Sequence, residues 1–277
     1  YQYLNLVRNI IDNGTWEEGR NGRTKSIFGS MMRFSLKDGK IPILTTKKTA
    51  WKTCLKELLW FIRGETDSKL LQAQGVHIWD GNTSREYLDS VGLTNLDEGL
   101  LGPGYGYQWR SFGGNYPNKD GSDQLKYIIT ELITNPDSRR SILSAWNPLQ
   151  MPQMALPPCH MTYQFYIDKY GLSCQMYMRS CDVAAGIPFN ICSTSLFTII
   201  LSHILRIKRN KIIIVMGDTH LYEPHIENAK IQITREPLMP PSLTIEKECN
   251  IEPTVENVPL LIKWIEELTI DDFILFL

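Results

Sequence analysis

The chain has 277 residues, of which 43% are hydrophobic and 21% are charged. This composition is that of a globular protein and excludes a disordered, collagenous or low-complexity chain. Twenty-nine basic and thirty acidic residues give a formal net charge of −1, so the overall charge favours neither nucleic acid nor an anionic membrane as a partner. Any site for an anion must therefore be a local cluster of arginines.

In chain order, the apolar periodicity predicts helices and strands that mix without strict βαβ alternation. We predict a helix over 3–11, a strand over 32–36, a helix over 51–62, a helix between an N-cap at Ser122 and a stop at Pro136, a strand over 141–146, a hairpin of strands over 161–167 and 172–180, a long helix over 188–207, a strand over 211–217, a helix over 258–268 and a strand over 273–277. This order favours an α+β fold with a single domain, in which a mixed β-sheet is backed by helices.

The six cysteines form neither a CxxC pair nor a CxxC…H pattern. That spacing argues against zinc, and so few cysteines in so long a chain argue against a disulfide framework. We therefore expect reduced thiols, no bound metal and a cytoplasmic protein. The longest apolar stretch, over 196–205, is broken by Ser202 and His203 and is shorter than the ~18 residues of a membrane span, so no transmembrane helix is predicted.

Cys159 follows two prolines and precedes His160. The prolines stiffen the backbone and remove two N–H donors, which presents a thiol at the start of a strand. The alternative is a buried structural cysteine, the commonest environment of this residue. Because adjacent residues on a strand face opposite ways, His160 need not be the base that activates Cys159. Nearby arginines would lower the thiol pKa from its usual ~8.5.

Two arginine segments are available for an anion, the pair Arg139-Arg140 and the dipeptide Arg179-Ser180. Arginines that converge on one point bind phosphate through charge-assisted bonds, whereas a single arginine is more often a surface charge. Alternation on the strand over 172–180 separates an apolar face from a polar face that is either exposed or lines a polar pocket. The apolar face holds Leu172, Cys174, Met176 and Met178, and the polar face holds Ser173, Gln175, Tyr177 and Arg179.

Glu57 lies within a strongly apolar helix, either on its solvated edge or buried. If it faces a cavity, its pKa rises and it can move protons near pH 7. Asn190 follows Pro188 and Phe189 at the start of the long helix. Its amide can be an ordinary cap, or it can recognise a heterocycle with one donor and one acceptor.

Residues 154–160 (Met-Ala-Leu-Pro-Pro-Cys-His) resemble the nucleophile segment of the thymidylate synthase family. Further segments resemble the same family in the same order along nearly the whole chain, at 57–64, 78–80, 105–110, 179–182, 186–190 and 218–222. The resemblance implies reductive methylation of dUMP to dTMP. The co-substrate 5,10-methylenetetrahydrofolate supplies both the methylene carbon and the hydride and leaves as dihydrofolate. The alternative within the family is a deoxyuridylate or deoxycytidylate hydroxymethylase, in which water completes the reaction.

The resemblance also implies the site residues. The catalytic set is Cys159, which adds to uracil C6, with Glu57, Asn82, Tyr105 and His160, which organise a water network. The substrate-binding set is Arg20, Arg23, Arg139, Arg140, Gln175, Arg179, Ser180, Asp182, Asn190, His220 and Tyr222. The folate-binding set is Lys47, Trp79, Asn82, Asp182, Gly186 and Phe189. Of the two N-terminal candidates for a phosphate ligand, Arg20 aligns better with the family pattern than Arg23.

The resemblance implies that residues 1–277 form one catalytic domain that works as a sheet-to-sheet homodimer. Arg139 and Arg140 then reach the phosphate in the neighbouring subunit. We also expect a closing segment of about twenty residues beyond Leu277, which shields the bound ligands from water. A thiol hydrolase of the Cys-His type would leave the arginines without a role, and a catalytically idle relative would not need Cys159 and Glu57.

Overall fold

The computed structural model describes residues 1–19 and 21–276. The helices are α1 (Gln2–Asn13), α2 (Trp51–Ile62), α3 (Lys69–Gln72), α4 (Asp80–Thr83), α5 (Arg85–Ser90), α6 (Tyr105–Ser111), α7 (Gln124–Thr134), α8 (Gly186–Ile204), α9 (Ile226–Gln232) and α10 (Val258–Glu266). The strands are β1 (Thr15–Gly19), β2 (Gly22–Ser35), β3 (Ile142–Ser144), β4 (His160–Asp168), β5 (Gly171–Asp182), β6 (Arg209–Tyr222), β7 (Ser242–Ile245) and β8 (Phe273–Phe276).

The main sheet has the strand order β1-β2-β6-β5-β4-β3. Its neighbours pair antiparallel except β5 and β6, which run parallel. Parallel neighbours need a crossover, and α8 supplies it between these two strands. A separate two-stranded antiparallel sheet joins β7 to β8. The predicted α+β fold with a mixed sheet is therefore confirmed.

Helix α8 packs on β5 and β6 of the main sheet, and α2 packs on α8. The predicted alternation on β5 is confirmed from Cys174 to Met178, because Cys174, Met176 and Met178 are buried while Gln175 and Tyr177 are exposed. Ser173, which was predicted on the polar face, is instead buried and accepts a hydrogen bond from the Asn210 amide. Helix α8 is apolar around its whole circumference, as expected for a helix surrounded by protein. Its length and composition would allow it to cross a membrane, but 78% of its apolar 18-residue stretch is buried inside the protein, so α8 is a core helix.

Several predicted boundaries are corrected by the structure. The N-cap of α7 is Asp123, whose carboxylate accepts from the Lys126 amide, whereas Ser122 pairs its backbone with Phe112. The strand predicted over 211–217 is longer at both ends in the structure, where β6 spans Arg209–Tyr222. The long helix predicted over 188–207 begins and ends earlier, because α8 spans Gly186–Ile204. Strand β1 was not predicted because it is exposed along its length and has no apolar alternation. Leu277, the end of the last predicted strand, lies outside the described residues.

Candidate active site

Cys159 is partly buried in the loop that leads into β4, and Arg179 of β5 holds this loop. The Arg179 guanidinium donates from Nε to the Pro158 carbonyl and from Nη2 to the Pro157 carbonyl, both at 2.9 Å. Nη2 also lies 3.9 Å from the Cys159 sulfur, and the guanidinium carbon is 5.7 Å from the centre of the Trp146 ring. The charge that is available to an anion is therefore next to the thiol.

Tyr105, at the start of α6, contacts the nucleophile loop through its phenol. The phenol oxygen accepts a hydrogen bond of 2.7 Å from the Cys159 backbone N–H. Its ring stacks on Phe61 of α2 with centroids 5.0 Å apart. The position of Cys159 is thus set by one helix that is itself packed on another.

Three effects act on the Cys159 thiol. Burial raises its pKa above the usual value, and the Arg179 charge and the Tyr105 hydroxyl act in the opposite direction. Burial dominates in the unliganded protein, so the resting thiol is mostly protonated at neutral pH. The groups that stabilise a thiolate are nevertheless already in contact with it.

Glu57 is partly buried on α2 and accepts a hydrogen bond of 2.8 Å from Trp79 Nε1. Burial raises the pKa of its carboxyl group to about 7, and the Trp79 hydrogen bond acts in the opposite direction with a smaller effect. A carboxyl group with this pKa exchanges protons readily near neutral pH. The hydrogen bond to Trp79 and the raised pKa favour an inward-facing carboxyl group over one on the solvated edge of α2.

His160 is buried against the rings of Tyr105 and Phe61. Its imidazole stacks on Tyr105 with ring centroids 4.2 Å apart, and Nδ1 is 3.0 Å from the Tyr163 hydroxyl. Burial lowers the pKa of His160 to about 3, so the ring is neutral at physiological pH. A neutral imidazole has one N–H donor and one acceptor nitrogen.

The parallel pairing of β5 and β6 brings a second group of predicted residues together. Ser180 pairs with Asp218, and Asp182 pairs with His220. His220 is buried, its Nδ1 is 3.4 Å from Asp218 Oδ1, and its ring meets Tyr222 edge to face at 5.2 Å. Register alone therefore places the predicted phosphate and ribose ligands on adjacent strands.

The turn between β5 and α8 gathers the predicted folate-binding residues. Asp182 Oδ1 accepts from the backbone N–H groups of Ala184 and Ala185, and Lys47 Nζ donates to the Ala184 carbonyl at 2.7 Å. A β-carbon added at Gly186 would lie 3.6 Å from Asn190 Oδ1 and 3.7 Å from Asp182 Cβ. Asn190, whose amide we predict to bind the base, and Asp182, whose carboxylate we predict to orient the folate, therefore both lie next to Gly186.

Three more residues of the folate-binding set lie on α8 and at α4. Phe189 is partly buried one residue before Asn190 on α8. Trp79 is buried, and Asn82 follows it within α4 with a partly exposed side chain. The Asn82 backbone N–H donates to the Trp79 carbonyl, which fixes their separation at about one helical turn.

Other predicted ligands lie apart from Cys159 in the single chain. Arg139 and Arg140 are exposed and line a surface pocket with residues of α7 and the loop that follows it. Gln175 is exposed on the outer face of β5, opposite Gln164 and Ile213. Arg23 contacts Glu18 at 3.4 Å and Glu223 at 3.3 Å and lies over the Trp16 ring. Arg20 lies outside the described residues.

Some residues of the site were not identified from the sequence. The two carbonyls that orient Arg179 belong to the prolines that were interpreted only as stiffening residues. Trp146 and Tyr163 were predicted only as strand residues, and no local pattern distinguishes them from core aromatics. Within residues 1–19 and 21–276, no group of three or more His, Cys, Asp or Glu side chains is placed to hold a metal ion.

A family model described as thymidylate synthase matches residues 1–276. The chain is 48% identical over 251 residues to human thymidylate synthase, which covers 88% of this chain and 80% of the human protein. It is 50% identical over 252 residues to a putative bifunctional dihydrofolate reductase-thymidylate synthase of Oryza sativa subsp. japonica, which covers 88% of this chain and 51% of that protein. The bifunctional enzyme of Leishmania major is 46% identical over 256 residues, which covers 89% of this chain and 49% of that protein. The chain thus spans about half the length of the bifunctional relatives that it matches.

Proposed function

This chain belongs to the thymidylate synthase family, and on that premise we propose that it converts dUMP to dTMP. The co-substrate 5,10-methylenetetrahydrofolate donates the carbon and the hydride and leaves as dihydrofolate. One observation carries the proposal: Tyr105 connects the two reactive groups, because it bonds the loop of the Cys159 thiol, which Arg179 also contacts, and its ring packs on Trp79, whose N–H donates to the Glu57 carboxyl group. We further propose that residues 1–277 form the catalytic domain.

The Cys159 thiolate adds to C6 of the uracil ring, which makes C5 nucleophilic enough to attack the methylene carbon of the folate. The Arg179 charge, 3.9 Å from the sulfur, favours the thiolate that performs this addition. Arg179 and Ser180 also bind the dUMP phosphate, and His220 and Tyr222 contact the ribose hydroxyl. Gln175 and one of Arg20 and Arg23 complete the proposed substrate ligands.

Addition at C6 places negative charge on the uracil O4, and a polar network must stabilise it. Glu57, Asn82, Tyr105 and His160 supply this network, partly through water. Once C5 has bonded to the methylene carbon, its proton must leave, and ionised Glu57 accepts it through this network. Loss of this proton breaks the bond between the methylene carbon and the folate nitrogen. Hydride transfer from the released tetrahydrofolate to the methylene carbon then expels the Cys159 thiolate from C6 and gives dTMP and dihydrofolate. The Trp79 N–H fixes the orientation of the carboxyl group at 2.8 Å.

Asn190 binds the uracil edge, because its amide satisfies O4 and the N3–H together. The folate lies against Trp79, Asp182, Gly186 and Phe189, and Lys47 meets its glutamate tail. The named relatives are thymidylate synthases, so a hydroxymethylase activity is not part of this proposal.

We propose that the active unit is a homodimer joined through the outer face of the main sheet. Met31, Ile142, Tyr166 and Tyr177 are large apolar or aromatic residues on four strands, and each is at least 38% exposed in the single chain. Exposed apolar faces of this extent are typical of interaction surfaces. Arg139 and Arg140 precede β3 at the edge of this face, where they reach the phosphate in the partner subunit.

The described cysteines are all free, which supports a reducing compartment, and we propose a cytoplasmic location. The test of the activity is incubation of the purified protein with dUMP and methylenetetrahydrofolate under anaerobic conditions. Dihydrofolate is followed by absorbance, and the nucleotide product is identified chromatographically. Equal amounts of dTMP and dihydrofolate would support the proposal. A hydroxymethylated nucleotide without dihydrofolate would contradict it.

A further inference from the structure

Tyr163 lies on the inner face of β4, three residues after His160, and is buried. Its phenol oxygen is 3.0 Å from His160 Nδ1, and the two rings meet edge to face at 5.9 Å. The imidazole also stacks on Tyr105. His160 is therefore held by two aromatic rings, and one of its nitrogens is already bonded within the protein.

We propose that Tyr163 is a positioning residue that holds neutral His160 in the tautomer with its proton on Nε2. The consequence for catalysis rests on the proposed function, whereas the tautomer itself is a property of the unliganded protein. Nothing in the sequence resemblance concerns Tyr163.

The direction of the Tyr163–His160 hydrogen bond follows from the surroundings of the phenol. Tyr163 is buried, and its hydroxyl bonds to His160 Nδ1 and to no other group among residues 1–19 and 21–276. The nearby Thr194 hydroxyl of α8 is also buried and makes no hydrogen bond within the described residues.

When the phenol donates to Nδ1, the phenol proton and the Nδ1 lone pair are both satisfied. In the reverse arrangement, Nδ1–H donates to the phenol oxygen, and the buried phenol proton is left without an acceptor among the described residues. An unsatisfied buried donor is costly, so the first arrangement prevails. Tyr163 remains a neutral phenol and His160 a neutral imidazole, because burial opposes ionisation of both.

The other ring nitrogen of His160, Nε2, has no hydrogen-bond partner among residues 1–19 and 21–276. It is also not among the fully buried polar atoms that lack a partner. Solvent or substrate can therefore reach it. In the tautomer set by Tyr163, this accessible atom is an N–H donor. The site thus presents a fixed neutral donor where the uracil oxygen develops negative charge, which is the requirement of an oxyanion-stabilising group.

The first measurement is nitrogen NMR of protein labelled with ¹⁵N-histidine, with the His160 signals assigned by their loss in His160→Gln. We expect an unprotonated Nδ1 and a protonated Nε2 in the wild type. In Tyr163→Phe we expect a mixture of tautomers, since the Phe ring keeps the packing but removes the donor.

The second measurement is steady-state kinetics. Tyr163→Phe should lower kcat about tenfold and change the KM for dUMP by less than about twofold, because only stabilisation of the transition state is lost. The matched control is Tyr127→Phe on the exposed face of α7, which should leave both parameters and all histidine signals unchanged.

A protonated Nδ1 in the wild type would overturn the proposal, and this spectrum is decisive even if Tyr163→Phe does not fold. An unchanged tautomer or an unchanged kcat in folded Tyr163→Phe would also overturn it. A wild-type protein that makes no dTMP would contradict the proposed function instead, and the nitrogen spectra would still decide the tautomer.

Discussion

The pocket around Glu57 and the proposed phosphate side around Arg179 are built in different ways. At Glu57, the buried side chains of α2, α6 and β4 contact one another, and the bonds to Trp79 and Tyr163 are complete in one chain. On the phosphate side, Arg139 and Arg140 are exposed and separate from Cys159. Neutral or proton-sharing groups can be buried together, whereas several arginines cannot be gathered without an anion to compensate their charge.

This difference teaches that the single chain pre-forms the side proposed for proton transfer, whereas the side proposed for the anion would be completed by the substrate and by the proposed partner subunit. Arg179 shows the intermediate case, because two backbone carbonyls compensate its charge before any phosphate arrives. The following predictions separate the two sides, from the largest expected effect to the smallest.

Cys159→Ala should reduce turnover by on the order of 10⁴-fold or more, because it removes the covalent addition on which every later step depends. Binding of dUMP should be nearly unchanged, since the phosphate side and Asn190 remain intact. Product analysis and isothermal titration calorimetry measure the two effects. Detectable dTMP at wild-type rates would show that another group is the nucleophile.

Glu57→Gln should lower kcat by about 10²- to 10³-fold and leave dUMP affinity nearly intact. Burial raises the pKa of Glu57 to about 7, and the ionised form accepts the C5 proton, so the wild-type kcat should rise as the pH increases through about 7. This limb of the pH–rate profile should vanish in the variant. A profile that is the same in both proteins would assign the limb to another group, such as the Cys159 thiol.

Arg140→Ala should raise the KM for dUMP by about 10- to 100-fold, which corresponds to the loss of a charge-assisted bond to phosphate. Mixed with an equal amount of Cys159→Ala, it should recover about a quarter of wild-type activity, because half of the dimers contain one site without either lesion. Subunit exchange is verified first by mass spectrometry of differently tagged chains. No recovery would mean that each phosphate site is built within one subunit.

Trp79→Phe should have the smallest effect, a loss of several-fold in kcat at pH 7. The Trp79 hydrogen bond lowers the pKa of Glu57, so its removal should move the limb of the pH–rate profile to higher pH. Activity at high pH should recover toward the wild-type value. A limb that moves to lower pH would show that Trp79 does not stabilise the ionised carboxylate.

The local sequence pattern predicts a large part of the secondary structure of this protein. The bounds of α2 follow from its apolar run and the glycine after it, and the two faces of β5 follow from simple alternation. The motif around Cys159 carried the family resemblance. These features depend on neighbours within a few residues, and periodicity reports such neighbours directly.

Only the tertiary structure decided which environment each chemical group occupies. The Glu57 carboxyl group is held by Trp79, which lies 22 residues away in the chain and donates a hydrogen bond to it. His160 is directed by Tyr163 and Tyr105, the second of which comes from a separate helix. A pKa or a tautomer depends on burial and on hydrogen-bond partners, and these are set by elements far apart in sequence. The sequence therefore predicts candidate residues for the chemistry, and the packing decides the state in which each of them is held.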